Sequence, residues 1–298
     1  MFEKFYGFKR KPFSLTPDPD FFYLSHDHVE ALENLIYGIS AGEGFLLLVG
    51  EIGTGKTTLS RVLTRKLRPS IIYSLILNPF QEFESLLKSI IIDFGMEPRG
   101  GGKSELVDQL IDFLLHDIGP KGKTALIIID EAQNLSTETL EQLRLISNIE
   151  TDKEKLLQIL LLGQEELIRK LEMRELRQLN QRISIRYYLG PLGRGEVGRY
   201  IRHRLEVSEP EQPIRFTWAA LRQVYKFSRG VPRLINMLVH RSLIAGFVAE
   251  SHTIDKAMVK RARESLFGDK FGKIKRMKRK KYELNHDVDE NNEEQEEK

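Results

Sequence analysis

The 298-residue chain contains no cysteine. Disulfide staples, zinc–thiolate sites and cysteine nucleophiles are therefore excluded, and a reducing compartment suits it. Long apolar runs are also missing. No window approaches the roughly 20 apolar residues that a membrane span needs; the longest stretch, 234–249, is broken by His240 and Arg241. The opening decapeptide, Met1–Arg10, has no unbroken apolar segment of the kind a secretory leader carries. These absences predict a soluble, cytoplasmic protein whose membrane role, if any, runs through a partner or a peripheral contact at the inner membrane. Core-forming residues are plentiful: 41% of the chain is hydrophobic, with room for one large domain or two modest ones.

Charge is nearly balanced, at a formal +3, but it is segregated. Lys270 to Lys281 holds eight basic residues in twelve positions, and Glu283 to Glu297 holds eight acidic ones with no Lys or Arg. Such blocks are usually solvated tails.

The most informative stretch is Gly50-Glu51-Ile52-Gly53-Thr54-Gly55-Lys56-Thr57-Thr58. It fits the G-x-x-x-x-G-K-[ST] phosphate-binding loop. The apolar run Phe45–Val49 before it reads as a buried parallel strand, and Thr57–Leu63 after it has helical spacing. Glycines 50, 53 and 55 let the backbone curl around an anion with its N–H groups turned inward. Lys56 is expected to reach the β- and γ-phosphates of a nucleoside triphosphate, and the Thr57 hydroxyl to hold Mg²⁺. The following helix turns its positive end on the same phosphates.

Further strand candidates are Ile71–Leu77, Leu126–Ile129, Leu157–Leu162 and Ile183–Leu189. The last alternates apolar and polar residues, which suits an edge strand. Helical patterns cover 26–40 (with Ser25 as cap), Phe80–Phe94 and Ser104–His116. Strands alternating with helices predict an α/β fold whose parallel sheet binds ligands at the strands' carboxyl ends. After Pro191 the pattern turns all-helical, with candidates Gly195–Leu205, Thr217–Ser228, Val231–Ala249 and Asp255–Ser265. The chain accordingly divides into an aromatic and proline-rich segment with a first helix packed on the core (1–40), a nucleotide-binding α/β domain (41–191), a small helical lid (192–266) and a charged tail (267–298).

Four features carry further chemistry. The third strand delivers Asp130 and Glu131 at its carboxyl end, suited to holding Mg²⁺ and to polarising the attacking water as general base. Gln164 follows the fourth strand, where a polar side chain can orient water. Arg174, Arg177, Arg182 and Arg186 cluster ahead of and along the last strand; an arginine there can reach a neighbour's nucleotide, with Arg182 the first choice and Arg177 the second. Gly230-Val231-Pro232-Arg233 puts proline in a first helical turn and Arg233 at the helix's positive end.

In this order the pieces resemble an AAA+ ATPase, and more closely the ExeA family, also called general secretion pathway protein A. The matching segments are Phe5–Phe8, Lys11–Pro19, Gly50–Thr58, Asp130–Gln133, Leu157–Gln164, Gln181–Ile183 and Gly230–Arg233. The resemblance implies a five-stranded parallel sheet between helices, a P-loop NTPase of AAA+ type, followed by a helical lid. It implies Gln164 as sensor 1, Arg182 as arginine finger, Arg233 as sensor 2, and an N-terminal segment beside the adenine. Long members of that family continue into a transmembrane helix and a peptidoglycan-binding domain, whereas this sequence continues into the charged tail, like a stand-alone form.

The expected function is a Mg²⁺-dependent, homo-oligomeric ATPase that drives assembly of an envelope, secretion, pilus or polysaccharide-export system through a protein partner. Two alternatives stand beside it: a DNA-binding ATPase of transposition or replication type, and a slow-hydrolysing nucleotide switch. The block Lys270 to Lys281 suits DNA phosphates, and with Phe271, Ile274 and Met277 it equally suits an anionic membrane.

Overall fold

The computed structural model describes residues 2–77, 79, 82–100, 102–149 and 155–268. Two compact units emerge: residues 16–196 with 231–233, and residues 1–15, 197–230 and those from 234 onward.

The first unit starts with helix α1 (His26–Ser40), capped by Ser25, whose hydroxyl oxygen accepts the His28 N–H. Strand β1 (Phe45–Gly50) leads through the glycine-rich loop into α2 (Lys56–Lys66). There follow β2 (Ile71–Ile76), α3 (Phe83–Asp93), α4 (Lys103–Asp112), β3 (Thr124–Ile129), α5 (Thr137–Ile146), β4 (Leu157–Gly163), α6 (Glu165–Leu171), α7 (Arg177–Arg182) and β5 (Ile183–Leu189). The helical pattern expected to reach His116 changes character at Phe113, where the chain widens into a π-helix over Phe113–Ile118.

All five strands are parallel, in the order β2-β3-β4-β1-β5. Alternation of side chains across the sheet sorts its apolar residues into two cores. Leu46, Leu48, Leu126, Ile128, Leu160 and Leu162 pack with Leu32 and Leu35 of α1 and Leu59 and Leu63 of α2. Their neighbours Phe45, Leu47, Ile127, Ile129, Ile159 and Leu161 pack on the other face with residues of α3 to α6. Central strands buried on both faces must therefore be apolar throughout. Gln158 is the exception in β4; its amide nitrogen donates to the carbonyls of Ile39 and Glu43, 3.2 and 2.9 Å away, while its buried Oε1 finds no partner among the described residues. Edge strand β5 alternates buried or half-buried residues with exposed ones, as its sequence predicts.

The second unit contains most of α8 (Arg194–Val207), then α9 (Trp218–Ser228), most of α10 (Pro232–Val248) and α11 (256–268). It is not purely helical: β6 (Arg215–Phe216) and β7 (Thr253–Ile254) form a two-residue parallel pair. Residues 1–15 belong to this unit, which corrects the reading that all of 1–40 packs on the nucleotide core. Tyr6 is fully buried, with its hydroxyl 3.1 Å from the carbonyls of both Leu243 and Ser251. The buried Arg204 guanidinium donates to the Pro12 carbonyl at 2.6 Å and lies over the Phe13 ring. Only 16–40 stay with the sheet.

Candidate functional site

The carboxyl ends of three adjoining strands, β3, β4 and β1, deliver Asp130, Gln164 and the glycine-rich loop to one edge of the sheet. Two glycines of that loop take left-handed backbone conformations, Gly53 at φ 83° and Gly55 at φ 107°, which a residue with a Cβ adopts only at a cost. A Cβ on Gly53 would also lie 2.6 Å from the Cβ of Arg233, whose N–H donates to the Gly53 carbonyl at 3.2 Å. Arg233 thus begins its helix against the loop, with its side chain exposed. Glu51 and Ile52 form the exposed rim, while Thr54 is buried and its hydroxyl donates to the Glu51 carbonyl at 2.9 Å.

Lys56, the first residue of α2, is buried. Its ammonium folds back over the loop and donates to the carbonyls of Gly50 and Glu51, at 2.8 and 3.0 Å. Burial pushes it below the ordinary lysine value, while nearby Glu131, Asp130 and Glu166 pull the other way. Thr57 donates its hydroxyl to Oδ2 of Asp130, so the loop and the end of β3 meet directly. Asp130 is buried, and burial raises its carboxyl above the usual range. The Thr57 hydroxyl and the Glu131 N–H, the latter 2.9 Å from Oδ1, oppose that rise by bonding the charged form.

Glu131 takes a left-handed backbone, φ 53°, at the turn out of β3. Its Oε2 accepts from the side-chain amides of Gln133 and, at 2.9 Å, of Gln164. Gln133 in turn accepts the Gln164 backbone N–H on its Oε1, 3.2 Å away. The structure therefore brings Lys56, Thr57, Asp130, Glu131 and Gln164 together, with Arg233 against the loop.

Arg182 is elsewhere. The residue after it, Ile183, pairs with Phe45 at the start of β1, the opposite end of the sheet from Gly50. Exposed, it donates to Oδ1 of Asn148 and makes longer contacts with Ser147 Oγ and the Arg144 carbonyl, at 3.5 and 3.4 Å. Arg177 is exposed on the same helix. Neither reaches its own chain's phosphate loop. Lys270 to Lys281 lies outside the described residues.

Two functional neighbours were not singled out from sequence. One is Gln133, inside a matching segment but without a role. The other is His28, buried on α1. Its Nε2–H donates to the Thr54 carbonyl at 3.1 Å, which in the neutral ring leaves Nδ1 to accept the Ser25 hydroxyl, 2.5 Å away. Burial lowers its pKa below the ordinary value. Its only sequence signal is its spacing from Leu32, Leu35 and Ile39; Val29, read as part of that stripe, is the residue that turns outward.

Among the described residues no helix is long and apolar enough to cross a membrane. Compared with known proteins, residues 39–171 match the AAA domain family. The chain is 45% identical over 255 residues to general secretion pathway protein A of Aeromonas hydrophila, an alignment covering 85% of this chain and 46% of that protein. It thus spans about half the length of that relative. Among solved structures it is similar to the ORC2 protein of Aeropyrum pernix in ADPNP–ADP complexes, with TM-score 0.66 and 18% identity over 87% of this chain and 72% of the other. It is also similar to Cdc6p from Pyrobaculum aerophilum, with TM-score 0.67 and 16% identity over 85% and 70%. At such identity these likenesses concern the fold. Residues 39–171 thus carry an AAA domain on a P-loop NTPase fold, and the chain is similar over 85% of its length to general secretion pathway protein A.

Proposed function

We propose that the protein binds and hydrolyses ATP with Mg²⁺, and that it works as a homo-oligomer on a secretion or envelope assembly partner. The observation that carries the enzymatic part is the bond from Thr57 to Asp130, which joins the phosphate loop to the acidic strand end. The residues fit a Mg²⁺–nucleotide. A buried ammonium is held over a loop that has room for no Cβ at Gly53. Among the described residues no group of three or more His, Asp or Glu could cage a metal alone, and Mg²⁺ characteristically takes one or two protein oxygens and completes its shell with phosphate and water. Thr57 and Asp130 would hold that ion, which when bound neutralises charge on the phosphates.

Within this reading Lys56 exchanges its two loop carbonyls for phosphate oxygens. Glu131 takes the proton of the attacking water as general base, and Gln164 orients that water. Arg233, beginning its helix against Gly53, covers the phosphates from above. Arg182, far from its own loop and exposed, is available to a second copy of the chain. The kinship with general secretion pathway protein A supports a secretion-linked partner.

Lys56→Ala is expected to abolish binding of a fluorescent ATP analogue. Glu131→Gln is expected to keep that binding and stop phosphate release. Undiminished turnover in Glu131→Gln refutes the assignment of the base.

A further inference from the structure

Resting on that reading, we infer that Gln133 is the positioning residue for the general base Glu131, and that Lys170 clamps Gln133 in place. Both Gln133 and Gln164 donate their amides to the same oxygen of Glu131, Oε2. Two donors on one oxygen fix the plane of the carboxylate and leave Oε1 as the oxygen that faces a proton. Gln133 also takes the Gln164 N–H on its own Oε1, so the three residues close a ring that ties the end of β3 to the end of β4.

Such a fixed ring suits a general base, which needs its accepting oxygen within hydrogen-bond reach of the water it activates. A free glutamate side chain explores several rotamers, and ordering it at each turnover costs entropy. Glu131 additionally holds a left-handed backbone that an L residue adopts only under external constraint. The turn after it is that constraint. Ala132–Asn134 form a 3₁₀ turn, and Lys170 of α6 donates to the carbonyls of Gln133 and Leu135, at 2.6 and 2.7 Å. A Cβ on Gly163 would lie 3.1 Å from Oε1 of Gln133, so the end of β4 also packs closely against this amide. Gln133 is thus held from α6, from β4 and through its own bond to Glu131.

The test is Gln133→Met, which keeps length and removes the donor. Turnover should fall at least tenfold, with KM and the affinity for a non-hydrolysable ATP analogue unchanged. In the nucleotide-free protein the losses of melting temperature in Gln133→Met and Glu131→Met should be non-additive, the double variant melting like the worse single one. Lys170→Met, which touches the ring only through the turn, should lower turnover by a smaller factor at the same KM. Unchanged or raised turnover in Gln133→Met, or additive melting losses, would overturn the inference. If the wild-type protein itself released no phosphate, the proposed ATPase activity would fall instead, and the melting cycle would still judge the contact.

Discussion

The phosphate loop offers a sharp steric prediction at Gly53. Alanine there meets two separable penalties. The first is backbone strain: at φ 83° a side chain costs about 1–2 kcal/mol. The second is overlap, because the new Cβ would stand 2.6 Å from the Cβ of Arg233 and 3.3 Å from its Cδ, an overpacking that costs about 1–3 kcal/mol. Gly42 supplies the control. It has nearly the same backbone, φ 77°, but a Cβ there would meet no atom within 4 Å. Gly42→Ala should therefore carry the strain alone, about 1–2 kcal/mol, and Gly53→Ala the sum, about 2–5 kcal/mol. At roughly 2–4 °C per kcal/mol for a unit of this size, thermal melts resolve the difference. If the loop escapes by shifting away from Arg233, the overlap cost appears instead in nucleotide affinity, about 5-fold to about 150-fold. Titration with a fluorescent ATP analogue, run beside the melts, catches either outcome. Equal effects of Gly53→Ala and Gly42→Ala in both assays would refute the close approach of Arg233 to the loop.

Two further predictions concern Arg182 and His28. If Arg182 acts on a neighbour's nucleotide, mixing Arg182→Ala with Glu131→Gln protein should restore a measurable part of the wild-type turnover; no recovery at any ratio would argue against action in trans. His28 predicts a pH effect on the nucleotide-free fold. Burial lowers its pKa in the folded state, outweighing the Thr54 carbonyl, Asp27 and Glu196, which favour the charged ring. As pH falls through the ordinary value of 6.5, the unfolded chain therefore takes up the proton first. Stability is full above that pH and declines below it, by at most about 1.4 kcal/mol per pH unit. Melting temperature measured across this window should fall more steeply in the wild type than in His28→Gln, which has no proton to gain; parallel curves would remove His28 from the account.

Strands β1, β3 and β4 were legible because burial on both faces forces an unbroken apolar run, and the edge position of β5 because one exposed face restores alternation; β2, at the other edge, is only half-buried. The phosphate loop was legible because its spacing is local. Other features depend on contacts that no local pattern records. Aromatics and prolines in residues 1–15 announce a packed segment, but its surroundings are set by Arg204, 192 positions from its acceptor Pro12. The pair β6–β7 has two residues per strand, too few for any period, and its flanking bonds join Arg215 to His252 and Thr217 to Ile254. His28 hides in a helical stripe because a neutral, doubly bonded imidazole occupies a core position as a hydrophobe would.

The candidate site shows the same divide between residue type and neighbourhood. Residue types alone place Asp130 and Glu131 at one strand end and Gln164 at another, 33 positions apart. Whether the two ends adjoin depends on strand order, and periodicity is blind to order. β4 lies between β1 and β3, although it follows both in sequence. That insertion brings the Gln164 amide to 2.9 Å from Glu131. Moved to the sheet's outer edge, β4 would leave every motif intact and Glu131 without its Gln164 donor. The geometry of the candidate site is thus encoded twice, locally in the residues and globally in the crossover that carries α5 and β4 back between strands already laid down.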